Sequence, residues 1–477
     1  MTIFKFPHKH SASVLIGITN LSINVFISLT LSGSTLYLTD SFLPTLYNRR
    51  ISLIIYLIIF SIIYYMMCRK TTRGSSDPRN VNTQSVLVII LFVLVNLAIS
   101  NKIFTYEYLL NTLDFEAHTI LVKNILEINQ PFLGLQFTDS APMPFYPQGS
   151  LYEIAVLSNI LNIEEILFMK YTYILIASII WPIVLWKYIE SYNLKSNTSS
   201  KILIVGLTLN HMPYGYFYWG HLPTVVSIIL ALCLDIISKN MRSKRIPHAI
   251  YSIFIIGSLF VIHPVGAGTF VFLRIIRFLL ERDLWKVKKF KEVKNQIYIT
   301  ISGISVVIFS ILLNFKFFYP IRYQINQNYE KLTSGTTFEY DITYWERFVK
   351  FFYEWIINLK YINIPTLDFI YLLIFVIIIL KYSSRKYLYI LTFQVLYILS
   401  TAASQQVFPI SLIALISFPF YSSASRMTHL TIIVYVLVLG KTLDLVSSKN
   451  RLVKVFTHVY TLLSFSLIFN YIFYRSI

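Results

Sequence analysis

The chain has few cysteines and few charged residues, and each shortage excludes a class of protein. Cys68 and Cys233 are the only cysteines among 477 residues, so the sequence predicts neither a disulfide framework nor a thiolate metal site. Charged residues make up only 13% of the chain, far below the share found in soluble domains. The zinc-protease pattern HExxH is missing, and we find no repeat period or low-complexity tract.

Apolar segments dominate the chain and indicate an integral membrane protein. Hydrophobic residues account for 56% of the sequence, with a mean hydropathy of +0.64. Apolar runs long enough to cross hydrocarbon recur along the chain, for example Ser13–Tyr37, Ile51–Met67, Ser85–Phe104, Tyr171–Trp186, Ile297–Phe318 and Phe369–Leu380. We therefore predict an all-α, polytopic transmembrane helical bundle of about 11–13 spans, with residues 1–477 forming a single integral membrane domain in the cell membrane.

Basic residues set the orientation of this bundle. The formal charge of +19 does not indicate nucleic acid, because Lys and Arg lie in short loops between apolar runs, where they mark the cytoplasmic side and attract anionic membrane lipids. The clusters within 69–79, 239–245 and 282–294 are thus expected in the cytoplasm. Parity then makes 105–169 and 318–365 two larger extracytoplasmic loops.

These outer loops are expected to carry short surface helices and rigid turns. Apolar residues at helical intervals in Glu116–Ile128 predict an amphipathic helix along the membrane surface. The prolines of Pro142–Pro147 predict a non-helical loop. Residues 404–426 are interpreted as a re-entrant hairpin, since a full span would put the basic stretch Lys441–Lys454 outside, against the charge bias.

An acidic and histidine-bearing stretch after the third apolar run is the first candidate site. Charges beside hydrocarbon cost a few kcal/mol each unless they are paired, solvated or used. Asp114 and Glu116 are the candidate catalytic carboxylates: either can deprotonate an acceptor hydroxyl, and Asp114 can also hold a divalent cation such as Mg²⁺ or Mn²⁺. The alternative is structural, with Asp114 capping a helix and Glu116 solvated in a loop.

Further polar residues fall on the same outer face in this topology. His118 is a candidate substrate-binding residue close to the acidic pair, and His429 is another near the C-terminus. His221 and His263 are favoured because prolines follow both closely and fix the turns. Each imidazole can donate to a phosphate, although a lone histidine is more often an ordinary hydrogen-bonded residue.

Arg426 is an isolated cation in a long apolar stretch. It follows Tyr421-Ser422-Ser423-Ala424-Ser425, and a guanidinium beside small hydroxyl residues suits a phosphate because it offers paired donors. The alternative is an arginine whose guanidinium group reaches the membrane–water interface while the aliphatic part of its side chain stays in the lipid.

The order of these motifs resembles a known superfamily. The segments Asp114–His118, Phe145–Ser150, Trp219–Pro223 and Ile262–Pro264 are together similar to membrane glycosyltransferases of the GT-C superfamily. The nearest pattern is that of archaeal and bacterial membrane proteins described as related to 6-pyruvoyl-tetrahydropterin synthase. The resemblance covers about residues 110–270, with a weaker match at Arg426. This chain departs from the pattern by placing its acidic motif after the third apolar segment instead of the first.

The resemblance implies a reaction and its partners. It makes Asp114 the catalytic or metal-binding carboxylate of an extracytoplasmic active site, with Tyr146 among the substrate-binding residues. The implied donor is a sugar on a polyprenyl phosphate, and the acceptor is a glycan, lipid or protein. A WWDYG-like motif and a large soluble C-terminal domain are missing, which favours transfer of a single sugar. The alternatives are a secondary transporter or a lipid or glycolipid flippase, and a purely structural membrane scaffold.

Overall fold

The computed structural model describes residues 21–33, 54–65, 113–128, 136–138, 141–142, 149–192, 221–240, 262–281 and 427–447, with parts of 89–104, 258–259, 377–394 and residue 455. These residues are helical apart from turns and one small hairpin, so the all-α prediction is confirmed for this part of the chain. The second outer loop, 318–365, and the re-entrant segment 404–426 lie outside the described residues.

The helices are numbered here in chain order. Their bounds are α1 Leu21–Gly33, α2 Ile54–Tyr65, α3 Leu113–Ile128, α4 Gly149–Leu161, α5 Glu165–Leu175, α6 Trp181–Ser191, α7 Leu222–Asn240, α8 Pro264–Glu281 and α9 Thr428–Ser447. A π-helical turn, Ile176–Ile180, joins α5 to α6. The strands β1 (Gln136–Thr138) and β2 (Ala141–Pro142) form an antiparallel pair.

Chain contacts divide the molecule into two compact units. The first comprises Met1–Leu133, Gln148–Arg242 and Leu443–Ile477, and therefore holds α1 to α7. The second comprises Gly134–Pro147 and Ser243–Thr442, and holds the hairpin, α8 and most of α9.

One helix among the described residues is long and apolar enough to cross a membrane. It runs without interruption from Glu165 to Ser191 with a mean hydropathy of 1.7, and its 27 residues reach about 40 Å. The predicted apolar run Tyr171–Trp186 lies inside it. The core helix of a soluble protein can have the same length and composition, so this helix alone does not establish a membrane location.

A proline explains the π turn inside this helix. Pro182 has no N–H, so it cannot donate to the carbonyl of Ser178 in the ordinary α-helical pattern. The backbone widens just before it, and the N–H of Trp181 bonds to the carbonyl of Ile176, five residues back. A widened turn of this kind keeps the helix continuous across the proline.

Aromatic side chains hold α3 against α5 in the first unit. The ring of Tyr173 makes edge-to-face contacts with Phe115 at 5.6 Å and with Phe104 at 5.7 Å between ring centroids. All three side chains are fully buried. One turn along α3, the hydroxyl of Thr119 lies 3.7 Å from the sulfur of Met169. This cluster positions α3, which carries the acidic motif.

Hydroxyl groups on buried helix faces bond to their own helix. Ser28, Thr30 and Ser32 in α1 each donate to the carbonyl four residues earlier, as do Thr269 in α8 and Thr442 in α9. A hydroxyl in apolar surroundings needs a partner, and the preceding turn supplies one without a second helix.

The second helix presents an apolar stripe on its exposed side. Five large apolar side chains of α2 are each at least half exposed: Ile54, Leu57, Ile58, Ile62 and Tyr65. Their spacing places them along one face, and α2 contains no charged residue. A contiguous apolar surface of this kind is unusual for a protein in water.

Candidate functional site

The acidic motif lies in the first turns of α3. The predicted helix, Glu116–Ile128, is observed and starts earlier, at Leu113. Positions 114 and 118 are four residues apart and share a side of the helix, whereas position 116 lies on another side. As expected for a helix, positions 114 and 116 therefore do not share a side. Beyond its place in α3, the Asp114 side chain lies outside the described residues.

His118 belongs to the buried face of α3. Its side chain is 2% exposed, and Phe115 and Val122 on the same face are fully buried. Glu116 is exposed instead. His118 thus contacts the protein interior, whereas Glu116 does not.

A partly buried carboxyl in α4, that of Glu153, was not predicted as a site residue from the sequence. Glu153 is the sole charged residue of this helix. It packs closely against Gly33 at the end of α1: if residue 33 had a side chain, its Cβ would lie 2.8 Å from the Glu153 Cβ and 3.4 Å from the Glu153 Oε2. Glu153 is partly exposed to solvent. Its carboxyl group is nevertheless surrounded by protein, and this burial raises the pKa of Glu153 to about 8. It also interacts electrostatically with Tyr56. A single Glu in the apolar sequence GSLYEIAVLSNIL was the available signal.

His221 lies directly before α7. Its backbone carbonyl accepts the N–H of Val225 at 3.2 Å, which makes it the residue that opens the helix, and its side chain is partly exposed. Pro223 occupies the first turn of α7, and the role of His221 in substrate binding stays a prediction.

The second unit brings two predicted histidines close to the same turn of α8. His263 precedes Pro264, and its Nδ1 accepts the backbone N–H of Val265 at 3.4 Å. The Nε2 of His429, near the start of α9, lies 2.7 Å from the Thr269 hydroxyl oxygen. That hydroxyl also lies 2.7 Å from the Val265 carbonyl oxygen. His263, Thr269 and His429 are all buried.

Other predicted site residues cannot be placed. Tyr146 and Arg426 lie outside the described residues. In the part of the chain that the structure describes, no three side chains of His, Cys, Asp or Glu are arranged to hold a metal ion. The role of Asp114 as a metal ligand stays a prediction.

Comparison with known proteins gives no assignment. No protein-family model, curated protein or solved structure matches this chain.

Proposed function

We propose that this protein is a polytopic membrane glycosyltransferase that moves a sugar from a polyprenyl-phosphate donor to a glycan, lipid or protein acceptor on the extracytoplasmic face. The proposal combines the GT-C-like order of motifs with the placement of histidines at helix starts. His221 opens α7, His263 precedes α8 and His429 is the second residue of α9. This repeated placement is the observation that carries the proposal.

Helix length and loop charge support an extracytoplasmic position for each of these histidines. The helices α7, α8 and α9 have 19, 18 and 20 residues, which corresponds to about 27–30 Å and thus to the hydrocarbon thickness. Basic sequence follows each of them, at 242–245, 282–294 and 449–454. If these ends are cytoplasmic, the histidine ends are extracytoplasmic.

The apolar stripe on α2 supports the membrane location. In water, the exposed side chains of this stripe would form an apolar surface in contact with solvent, whereas in a membrane the lipid acyl chains would cover them. These side chains are Ile54, Leu57, Ile58, Ile62 and Tyr65. The buried hydroxyls bonded to their own helices agree with apolar surroundings.

In the proposed reaction, the acceptor hydroxyl oxygen forms a bond to the anomeric carbon while the bond from that carbon to the phosphate oxygen breaks. Asp114 takes the proton of the acceptor hydroxyl. If a Mg²⁺ or Mn²⁺ ion were bound, Asp114 would be the candidate ligand for it, and the ion would supply Lewis-acid polarisation of a bound oxygen. The polyprenyl phosphate leaves with the electron pair. Cationic or N–H donor groups, with Arg426 and the histidines as candidates, stabilise its negative charge.

A transfer assay with a matched pair of variants tests the proposal. Purified protein in lipid should transfer a radiolabelled sugar from a synthetic polyprenyl-phosphate donor, and Asp114→Asn should lower the rate by about 10²-fold or more, the usual effect of removing a general base. Glu165→Gln removes a carboxylate at the start of α5 and should keep the activity. Full turnover in Asp114→Asn would remove Asp114 from the mechanism.

A lipid or glycolipid flippase is the second candidate, and two observations favour it. Asp235 is fully buried in the interior of α7, and buried charges within spans are common in transport pathways. The π turn at Ile176–Ile180 is a local irregularity of a kind often found at functional positions. Movement of the intact donor between leaflets without cleavage of its sugar–phosphate bond would favour this candidate.

A further inference from the structure

Two buried hydroxyl groups lie in the first unit without a hydrogen-bond partner among the described residues. They belong to Tyr56 in α2, which is 2% exposed, and to Ser150 in α4, which is 3% exposed. A hydroxyl loses its bonds to water when it is buried, so it destabilises the folded protein unless another group or a ligand binds it.

Both hydroxyls belong to the surroundings of the Glu153 carboxyl. Ser150 precedes Glu153 by three residues in α4, so the two side chains share a side of the helix. The Tyr56 hydroxyl interacts electrostatically with the Glu153 carboxyl. Gly33, at the end of α1, lies against the same side chain. Three helices of the first unit therefore contribute to one polar group of side chains.

The described residues supply no cationic side chain that would balance an ionised Glu153. Helices α1 and α2 contain no charged residue, and α4 contains no other. Glu153 forms no ion pair within the described part of the chain. A carboxylate surrounded by protein requires a positive charge beside it. One negative charge is balanced by a monovalent ion, whereas a divalent ion would leave an excess of charge.

We propose that the Glu153 carboxylate and the hydroxyl oxygens of Tyr56 and Ser150 bind a small monovalent cation, sodium or potassium. Hard cations take oxygen ligands, and each hydroxyl oxygen offers lone pairs. Since Glu153 is partly exposed, an ion can reach the carboxylate from the solvent. The inference does not depend on the proposed sugar transfer.

A bound ion would link α2 to α4 beside the end of α1. In the proposed orientation, α1 ends and α2 begins on the extracytoplasmic side, and α4 lies in the outer loop 105–169. The contacts of Glu153 with Gly33 and Tyr56 thus join elements of the same side. Because the ion would bind the folded state, its binding should stabilise the protein by mass action.

The carboxylate and the tyrosine each have a matched control variant. Glu153→Gln removes the charge but keeps the shape, and Glu165→Gln removes a carboxylate at the start of α5. Tyr56→Phe removes the buried hydroxyl, and Tyr65→Phe removes a hydroxyl from a side chain of the same helix that is 64% exposed.

The serine has a control in its own helix. Ser150→Ala is compared with Ser158→Ala, because Ser158 is also buried in α4 but donates to the Ala155 carbonyl at 3.0 Å. Melting temperatures of all variants are measured at about pH 9, above the pKa of Glu153. The salts are sodium, potassium, magnesium and choline chloride at equal ionic strength, with choline as the reference cation that is too large for the site.

The expected result is a stabilisation that needs all three proposed ligands. Sodium or potassium chloride should raise the melting temperature of the wild type and of the control variants by about 2–4 °C over choline chloride, and magnesium chloride should not. Glu153→Gln, Tyr56→Phe and Ser150→Ala should lose this shift. Sodium NMR gives a second measurement, because the sodium line broadens when ions exchange with a protein site: the wild type should broaden it and Glu153→Gln should not.

Three outcomes would overturn the proposal. Equal melting temperatures of the wild type in sodium, potassium and choline chloride would mean that no such ion binds and that water alone serves the two hydroxyls. A shift that persists in Glu153→Gln, or in both hydroxyl variants, would place the ion elsewhere. A larger shift with magnesium, abolished in Glu153→Gln, would exclude a monovalent site.

Discussion

At the scale of single residues, the carboxyl of Glu153 connects packing to pH. Its pKa lies at about 8 in the folded protein, against 4.5 for an ordinary glutamate, so the folded state holds more protons than the unfolded state between these values. Stability therefore falls as pH rises through this window, by at most about 1.4 kcal/mol per pH unit. Its partial exposure makes the actual slope smaller.

Replacing Glu153 should flatten this pH dependence. Glutamine keeps the shape but cannot ionise, so we expect the melting temperature of Glu153→Gln to fall less between pH 4.5 and pH 8 than that of the wild type. Light-scattering or fluorescence melting curves across this range measure the difference. Glu116→Gln removes an exposed carboxylate and serves as the control. Parallel profiles for the wild type and Glu153→Gln would contradict the prediction.

The sequence indicated the histidines as candidates but did not indicate which residues they contact. Prolines beside His221 and His263 indicated fixed turns, and both residues open helices. The contact of Thr269 with His429 joins segments that share no local pattern. Glu153 was passed over because a single charge in an apolar helix does not reveal whether it faces protein or solvent.

At the scale of elements, the best-predicted helix is α3, whose apolar periodicity extends over several turns. Ile120 is one of the apolar residues at helical intervals that predicted this helix, yet it is 36% exposed. Phe115, His118 and Val122 complete the buried face instead. The observed helix Glu165–Ser191 extends past the apolar run Tyr171–Trp186 at both ends, because a hydropathy window excludes polar end residues such as Glu190, which bonds to Trp186 and Lys187.

The aromatic contact between α3 and α5 gives a prediction for these elements. Tyr173 is fully buried between Phe115 and Phe104, so Tyr173→Ala should leave a cavity and lower the free energy of unfolding by about 3–5 kcal/mol. Tyr171, two residues earlier in α5, is 55% exposed, and Tyr171→Ala should cost much less. Thermal denaturation in detergent compares the two variants, and equal losses would show that α3 does not depend on this contact.

At the scale of the whole molecule, the account depends on which side of a membrane each loop faces. Composition already predicted an integral membrane protein, and the exposed apolar stripe of α2 agrees with it. The number of spans remains a prediction, since one helix among the described residues meets the length and hydropathy criteria. The proposed orientation of the chain is based on loop charge and not on tertiary contacts.

Single-cysteine labelling tests this orientation most directly. In a background in which Cys68 and Cys233 are replaced, cysteines at Ser140, Ser243 and Ser425 are treated with a membrane-impermeant maleimide in intact cells and in inverted vesicles. The account predicts labelling at 140 and 425 from outside and at 243 from the cytoplasmic side. Labelling of 140 and 243 from the same side would contradict it, and cytoplasmic labelling of 425 would take Arg426 out of the proposed site.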